Sequence, residues 1–204
     1  MHIQKKGLRA LGIAESYTGR SVSRLAGVVM RKDLRIDGFT FSTVTVGGMD
    51  ATESVLRMVE GLERNDVNVV MLSGCVIAWF NVIDPAKIEK ETGKPVICVT
   101  YEDSDGLFEE IRHHFPDDTG RISAYMNLGE RTRIELHTHQ SIFIRCWGIE
   151  TSDGARLCDN FTIEGKIPEP LRVARLCARK LVPCSSNQEV LSKKYTKDKN
   201  IHNF

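Results

Sequence analysis

Two carboxylates one turn apart, Asp50 and Glu53, open a stretch whose apolar residues recur at helical spacing. Acidic oxygens in that place have two uses. They satisfy free backbone N–H groups at a helix start, close to a capping box, or they hold a hard divalent cation through oxygen ligands. Both uses stay open at this level. A second grouping is cationic: Arg172, Arg175 and Arg179 fall at i, i+3 and i+7, beside an apolar face marked by Leu171, Ala174 and Leu181. Such a stripe contacts phosphates, or it is a solvated helix face whose last cations suit the helix dipole. Aromatic side chains form a third group. Tyr17 follows the first strand, and Trp79 and Phe80 follow a Ser73-Gly74 turn at the kind of sheet edge where ligands gather in open α/β folds. Rings so placed stack on an extruded base or fill the core; core packing is the expected role of Trp79 and Phe80. His137 lies on the Arg133 and Glu135 face of a strand whose other face is Ile134 and Leu136, so His137 and His139 are expected to meet solvent rather than a metal. His113 and His114 end an acidic helix, a favourable place for cations.

The elements that must position these groups are legible from periodicity. Residues 8–14 and 24–30 read as strands, with a polar loop over 15–23 between them. Residues 36–46 form a third strand in which Phe39 and Phe41 alternate with Thr40 and Ser42. The short links favour an antiparallel meander. Gly47-Gly48 ends it, and 50–64 is an amphipathic helix with Val55, Met58, Val59 and Leu62 on one face. Residues 67–72 and 95–100 are short apolar strands suited to burial on both faces, joined through a helix over 85–91 with proline in its first turn. A helix over 107–115 follows, then strand-like sequence over 121–149 that includes 132–137 and 141–147. Helices near 152–161 and 169–182 complete the chain. The expected fold is α/β: a ribonuclease-H-like mixed sheet, an antiparallel meander followed by parallel strands, flanked by helices. One domain is expected over 1–184, with a polar, Lys-rich tail over 185–204.

Composition narrows the class without naming a partner. The chain has 204 residues, enough for one sizeable core, with 41% hydrophobic and 27% charged residues. A net charge of +1 means that any nucleic-acid surface must come from local clustering. The six cysteines form no CxxC pair of zinc-type spacing, and most lie in apolar or patterned segments, as small buried thiols of a reducing cytosol do. No signal peptide and no run near the ~20 apolar residues of a membrane span is visible. A cytoplasmic protein with no membrane partner is expected.

Several segments together resemble a known family: Leu11-Gly12-Ile13, Asp50-Ala51-Thr52-Glu53, Val69 through Gly74, Phe80 through Asp84, Trp147-Gly148-Ile149, and above all Ile167-Pro168-Glu169-Pro170-Leu171-Arg172-Val173-Ala174. They are similar to the archaeal endonuclease dU family, itself similar to endonuclease V. The resemblance runs from about Leu8 to Val182. It implies nicking of DNA or RNA near deaminated bases with Mg2+ or Mn2+. Carboxylates of the first strand, a helix and the end of the fourth strand would hold the cation at one sheet edge. Nucleic acid is then the implied partner, DNA ahead of RNA, although no base-edge readout pattern is visible.

Carried over residue by residue, the pattern is overwritten. The resemblance places an aspartate where this chain has Ala14, another where it has Ser73, and a histidine where it has Arg175. The helix carboxylate finds a match in Glu53, with Asp50 one turn earlier. These two are the candidate metal ligands, and with Glu15 the candidate catalytic acids. Glu15 replaces the acid missing at Ala14 only if the strand has broken there, since neighbouring strand residues face opposite ways. A hard-cation site without two carboxylates binds metal weakly, so slow or absent cleavage is expected. Arg172, Arg175, Arg179 and Tyr17 are the candidate nucleic-acid contacts, and Arg175 makes the edge kinder to anions than to cations. Two functions survive: a repair endonuclease with altered ligands, or a non-catalytic nucleic-acid-binding or interaction protein on the same fold.

Overall fold

A computed structural model describes residue 5 and residues 7–17 and 21–181. The tail expected over 185–204 lies outside the described residues, as does Val182 at the expected end of the last helix. Strands β1 (Arg9–Ser16), β2 (Val22–Arg31) and β3 (Ile36–Thr45) form the expected antiparallel meander. Helix α1 (Ala51–Glu60) leads to β4 (Val69–Ser73), which pairs parallel with β1. A short hairpin, β5 (Val76–Ile77) and β6 (Asn81–Val82), precedes α2 (Pro85–Thr92). Strand β7 (Val96–Thr100) then pairs parallel with β4. After α3 (Phe108–His114) and α4 (Thr119–Met126), β8 (Thr132–Glu135) and β9 (Ser141–Trp147) extend the sheet antiparallel. Helices α5 (Thr151–Asn160) and α6 (Glu169–Leu181) follow. The seven-stranded order is β3-β2-β1-β4-β7-β9-β8.

Strand alternation divides the core into two layers. Leu11, Ile13 and Leu72 pack with Val55 and Met58 of α1 and Ile88 of α2. Ala10, Ala14 and Met71 pack on the other face with Leu157 of α5 and Leu171 and Ala174 of α6. Each fully buried Leu, Ile or Met side chain contributes about 1.5–3 kcal/mol, so both layers fix the register that brings functional positions together.

Three local expectations are corrected. Residues 15–23 do not break into a loop at Glu15: Glu15 pairs with Leu25 and Ser16 with Arg24, because the meander hydrogen bonds continue. Part of the strand-like stretch 121–149 is helix α4, started by Asp118, whose carboxylate accepts from the Arg121 N–H at 2.9 Å. Helix α1 ends at Gly61, short of residue 64, where glycine lowers helix propensity.

Candidate nucleic-acid interface

The register of the parallel β1–β4 pair sets Ile13 opposite Leu72, so the next residues, Ala14 and Ser73, sit side by side. Alternation turns both toward α6. Ala14 is only 3% exposed and packs with Leu171 and Ala174. Arg175 follows Ala174, and its guanidinium lies 5.4 Å from the centre of the Tyr101 ring. The fold therefore brings Ala14, Ser73 and Arg175 to one place, with a methyl, a hydroxyl and a fixed positive charge.

Beyond the C-terminal ends of β4 and β7 lies a cleft of about 460 Å³, bounded by Ser73, Tyr101, Tyr125 and Arg175. Arg131, Arg145 and Lys166 add three more cations to its lining, and among the described residues Glu102 is its single carboxylate. Two of these cations meet carboxylates, Lys166 with Glu102 and Arg131 with Asp103 at 4.0 Å, and neutral groups aim the others. Arg131 donates to the carbonyls of Glu102 (3.1 Å) and Ser104 (2.6 Å), and Arg145 Nε donates to the Gly129 carbonyl at 2.9 Å. Lys166 donates to the Tyr101 carbonyl at 3.0 Å and to the Glu102 carboxylate at 2.6 Å. Backbone carbonyls fix a guanidinium without removing its charge, so the cleft is positive overall. Burial pushes the Tyr101 hydroxyl up to about 12, with Ser73 and Arg175 opposing the rise, and among the described residues that buried hydroxyl has no hydrogen-bond partner.

The predicted acids stand elsewhere. Asp50 does not cap α1 with its side chain. Its carboxylate accepts from Thr45 N–H and from Asn81 Nδ2 (2.6 Å) instead, which corrects the capping-box reading. Burial alone would raise its pKa; the bonds from Asn81 and Thr45 outweigh that and hold it below its usual value. Glu53 is half exposed and pairs with Lys87 of α2. Glu15 points to the α1 side of the sheet, opposite Ala14, and accepts from the Ser23 hydroxyl and the Ala78 N–H. Burial raises its pKa. Asp50, Glu53 and Glu15 are all absent from the cleft lining.

Ala78, Trp79 and Phe80 turn the β5–β6 hairpin in the left-handed region, with φ of 43°, 59° and 61°. For residues with a Cβ this costs roughly 1–2 kcal/mol each. The surroundings hold it: Gly47 N–H donates to Ala78 O at 2.8 Å, and the buried Arg121 donates to the carbonyls of Phe80, Gly48 (3.0 Å) and Gly47 (2.8 Å). Arg121 also lies 3.9 Å over the Phe115 ring and pairs with Asp118 at 3.0 Å. The result is a Trp79 ring 45% exposed, packed on His114 at 4.9 Å and edge-on to Phe80 at 5.4 Å. The expectation that Trp79 fills the core is corrected; the left-handed turn lifts it out.

The arginine stripe divides. Arg172 forms a two-pronged pair with the buried Glu169 at 2.7 Å, which ties the start of α6, while Arg175 enters the cleft and Arg179 stays exposed a turn later. Tyr17 is exposed just past β1. His137 faces outward, its ring 2.8 Å from the Asp159 carboxylate. Cys75, Cys98 and Cys158 are buried free thiols, and burial pushes Cys75 and Cys158 upward, away from reactivity. The sequence reading missed Arg131, Arg145, Lys166 and Tyr101. Only Lys166 carried a signal, standing directly before the Ile167-Pro168 segment.

A resident Mg2+ or Mn2+ needs several converging oxygens. Among the described residues at this edge the side-chain oxygens are neutral hydroxyls and one lysine-paired carboxylate, that of Glu102, faced by Arg175. Among the described residues no three His, Cys, Asp or Glu side chains form a cation cage. The donor set does not fit such an ion.

The mixed seven-stranded sheet with its helices resembles the endonuclease V fold. The crystal structure of Ciona intestinalis endonuclease V, in complex with a 24mer DNA containing an inosine, superposes with a TM-score of 0.60 at 14% identity, over 88% of this chain and 87% of that one. A crystal structure of a protein of unknown function from Archaeoglobus fulgidus has a TM-score of 0.75 at 26% identity, over 86% of this chain and 98% of that one. The endonuclease dU family model matches residues 6–182, and the chain belongs to that family. A UPF0215 protein of Pyrobaculum calidifontis is 41% identical over 170 residues, 82% of this chain and 93% of its own. One from Methanothermobacter thermautotrophicus is 35% identical over 180 residues, covering 85% and 87%. Among the described residues no helix is long and apolar enough to cross a membrane.

Proposed function

We propose that the chain binds nucleic acid, DNA ahead of RNA, by seating backbone phosphate in the cationic cleft, and that it cleaves slowly or not at all. The observation that carries this is Arg175 beside Ser73 and Ala14: a fixed positive charge stands next to two positions where the family resemblance would place acids. Four cations against one carboxylate suit an anionic strand. Mg2+ or Mn2+ is held weakly, for want of charged oxygens. The fold analogy with an endonuclease V bound to inosine-containing DNA points to strands carrying deaminated bases. Fluorescence anisotropy with a labelled oligonucleotide at graded salt tests the reading. Arg175→Glu is expected to weaken binding and to reduce the salt slope by about one. An affinity indifferent to Arg175→Glu would overturn the phosphate seat. Family-like rates of metal-dependent nicking by pure protein would overturn the loss of cleavage.

A further inference from the structure

We propose that Trp79 is a stacking platform for an unpaired base of the strand held in the cleft; the inference rests on the cleft reading. A tight hairpin has no intrinsic need for three left-handed side-chain-bearing residues in a row, since glycine or asparagine serves turns at lower strain. Here the turn is Ala78-Trp79-Phe80, and it is held from three directions: by the Glu15 carboxylate on Ala78 N–H, by Gly47 N–H on Ala78 O, and by Arg121 on Phe80 O. Strain held so firmly at a surface marks a functional display. What it displays is the largest apolar ring available, half in solvent, its edge braced by Phe80 and His114 so that it cannot fold back into the core.

The position relative to the cleft selects a base as the occupant. Val76 opens the hairpin and Leu107 opens α3, and both line the cleft. His114 closes α3 and touches Trp79. A helix of that length spans about 10 Å, so the ring stands within a nucleotide or two of the cleft mouth. Tyr125 lines the cleft one helical turn after Arg121, the residue that clamps the platform. Tyr17, also exposed, lies two residues past Glu15, the carboxylate that holds Ala78. Phosphate in a cationic groove with a ring beside it is the arrangement that takes single strands irrespective of sequence.

The test measures affinity by anisotropy for a labelled single-stranded oligonucleotide and for the same strand made wholly abasic, with the wild-type chain, Trp79→Ala and Trp79→Phe. Trp79→Ala is expected to weaken the base-bearing strand roughly 5- to 150-fold, with Trp79→Phe in between, and to leave the abasic strand unchanged. Equal binding of the base-bearing strand by all three chains overturns the platform while the phosphate cleft stands. A wild-type chain that binds neither strand overturns the cleft reading and the platform with it. Equal loss on both strands, or a self-association abolished by Trp79→Ala, also overturns the platform, the first assigning Trp79 to folding and the second to a protein contact. Thermal unfolding of each variant separates loss of fold from loss of stacking.

Discussion

Gly12 of β1 lies directly beneath Pro170 of α6: a Cβ built on Gly12 would stand 2.6 Å from both the Cβ and the carbonyl oxygen of Pro170. Two segments that carry the family resemblance, Leu-Gly-Ile and Ile-Pro-Glu-Pro, thus meet as one close contact between strand and helix. This contact sets the height of α6 above the sheet, and so the place of Arg175 in the cleft.

Gly12→Ala is therefore expected to destabilise the chain by about 1–3 kcal/mol, the usual cost of overpacking a filled core. Backbone, rather than a flexible side-chain end, is what must move. Urea unfolding measures the loss; an unchanged midpoint would mean that α6 rides freely on β1.

Arg121 should tolerate no replacement. Arg121→Ala leaves the carbonyls of Gly47, Gly48 and Phe80 without their donor, at about 1–3 kcal/mol for each that stays buried and unpaired. Arg121→Lys rescues little, because one ammonium cannot reproduce the planar fork or its stacking on Phe115. Calorimetric unfolding of both variants checks this; a stable Arg121→Lys chain would contradict the clamp.

Replacing Ala14 and Ser73 by Asp together should raise Mn2+ affinity above that of the native chain. Without metal the double variant loses stability, since Ala14 is buried in an apolar layer. With metal it regains part of it, read as a rise in Tm with Mn2+ larger than any rise of the native chain. No gain in affinity would mean that the two positions do not share a site.

Glu15 gives a pH signature. Its folded-state pKa is raised by burial, with the bonds from Ser23 and Ala78 opposing that rise only in part. A raised carboxyl favours the folded state when protonated. Its contribution is whole below the ordinary glutamate range and is lost as pH rises through the raised value. Glu15→Gln, which keeps an acceptor for Ser23 and Ala78, should gain stability relative to the native chain between pH 4 and pH 7. Paired urea titrations at those values read the difference, and a gap that shrinks with pH would reverse the sign argued here.

Much of this was written in local pattern. The period-2 run at Phe39 and Phe41, the apolar stretches ending at Leu72 and Thr100, and the short links of the meander suffice for a mixed sheet, because alternation and burial are properties of neighbouring residues. That Ala14, Ser73 and Arg175 depart from the family pattern is what the resemblance implies, and no local periodicity marks them; the fold adds that the three lie at one place. The start of α4 was missed because one cap, Asp118, decided it against a strand-like composition.

What only the tertiary structure decided is where charged and strained groups go. Asp50 and Glu53 make a plausible ligand pair along the chain, yet Asn81 claims one and Lys87 the other, from elements about thirty residues away. Glu15 follows Ala14 in sequence and faces the opposite side of the sheet, because the strand runs on. Arg131, Arg145 and Lys166 converge with Arg175 only when β7, β9 and α6 are in register. Hydrophobic order is short-ranged and periodic, so sequence carries it; the electrostatic field at a sheet edge is a sum over distant segments and exists only once they are packed.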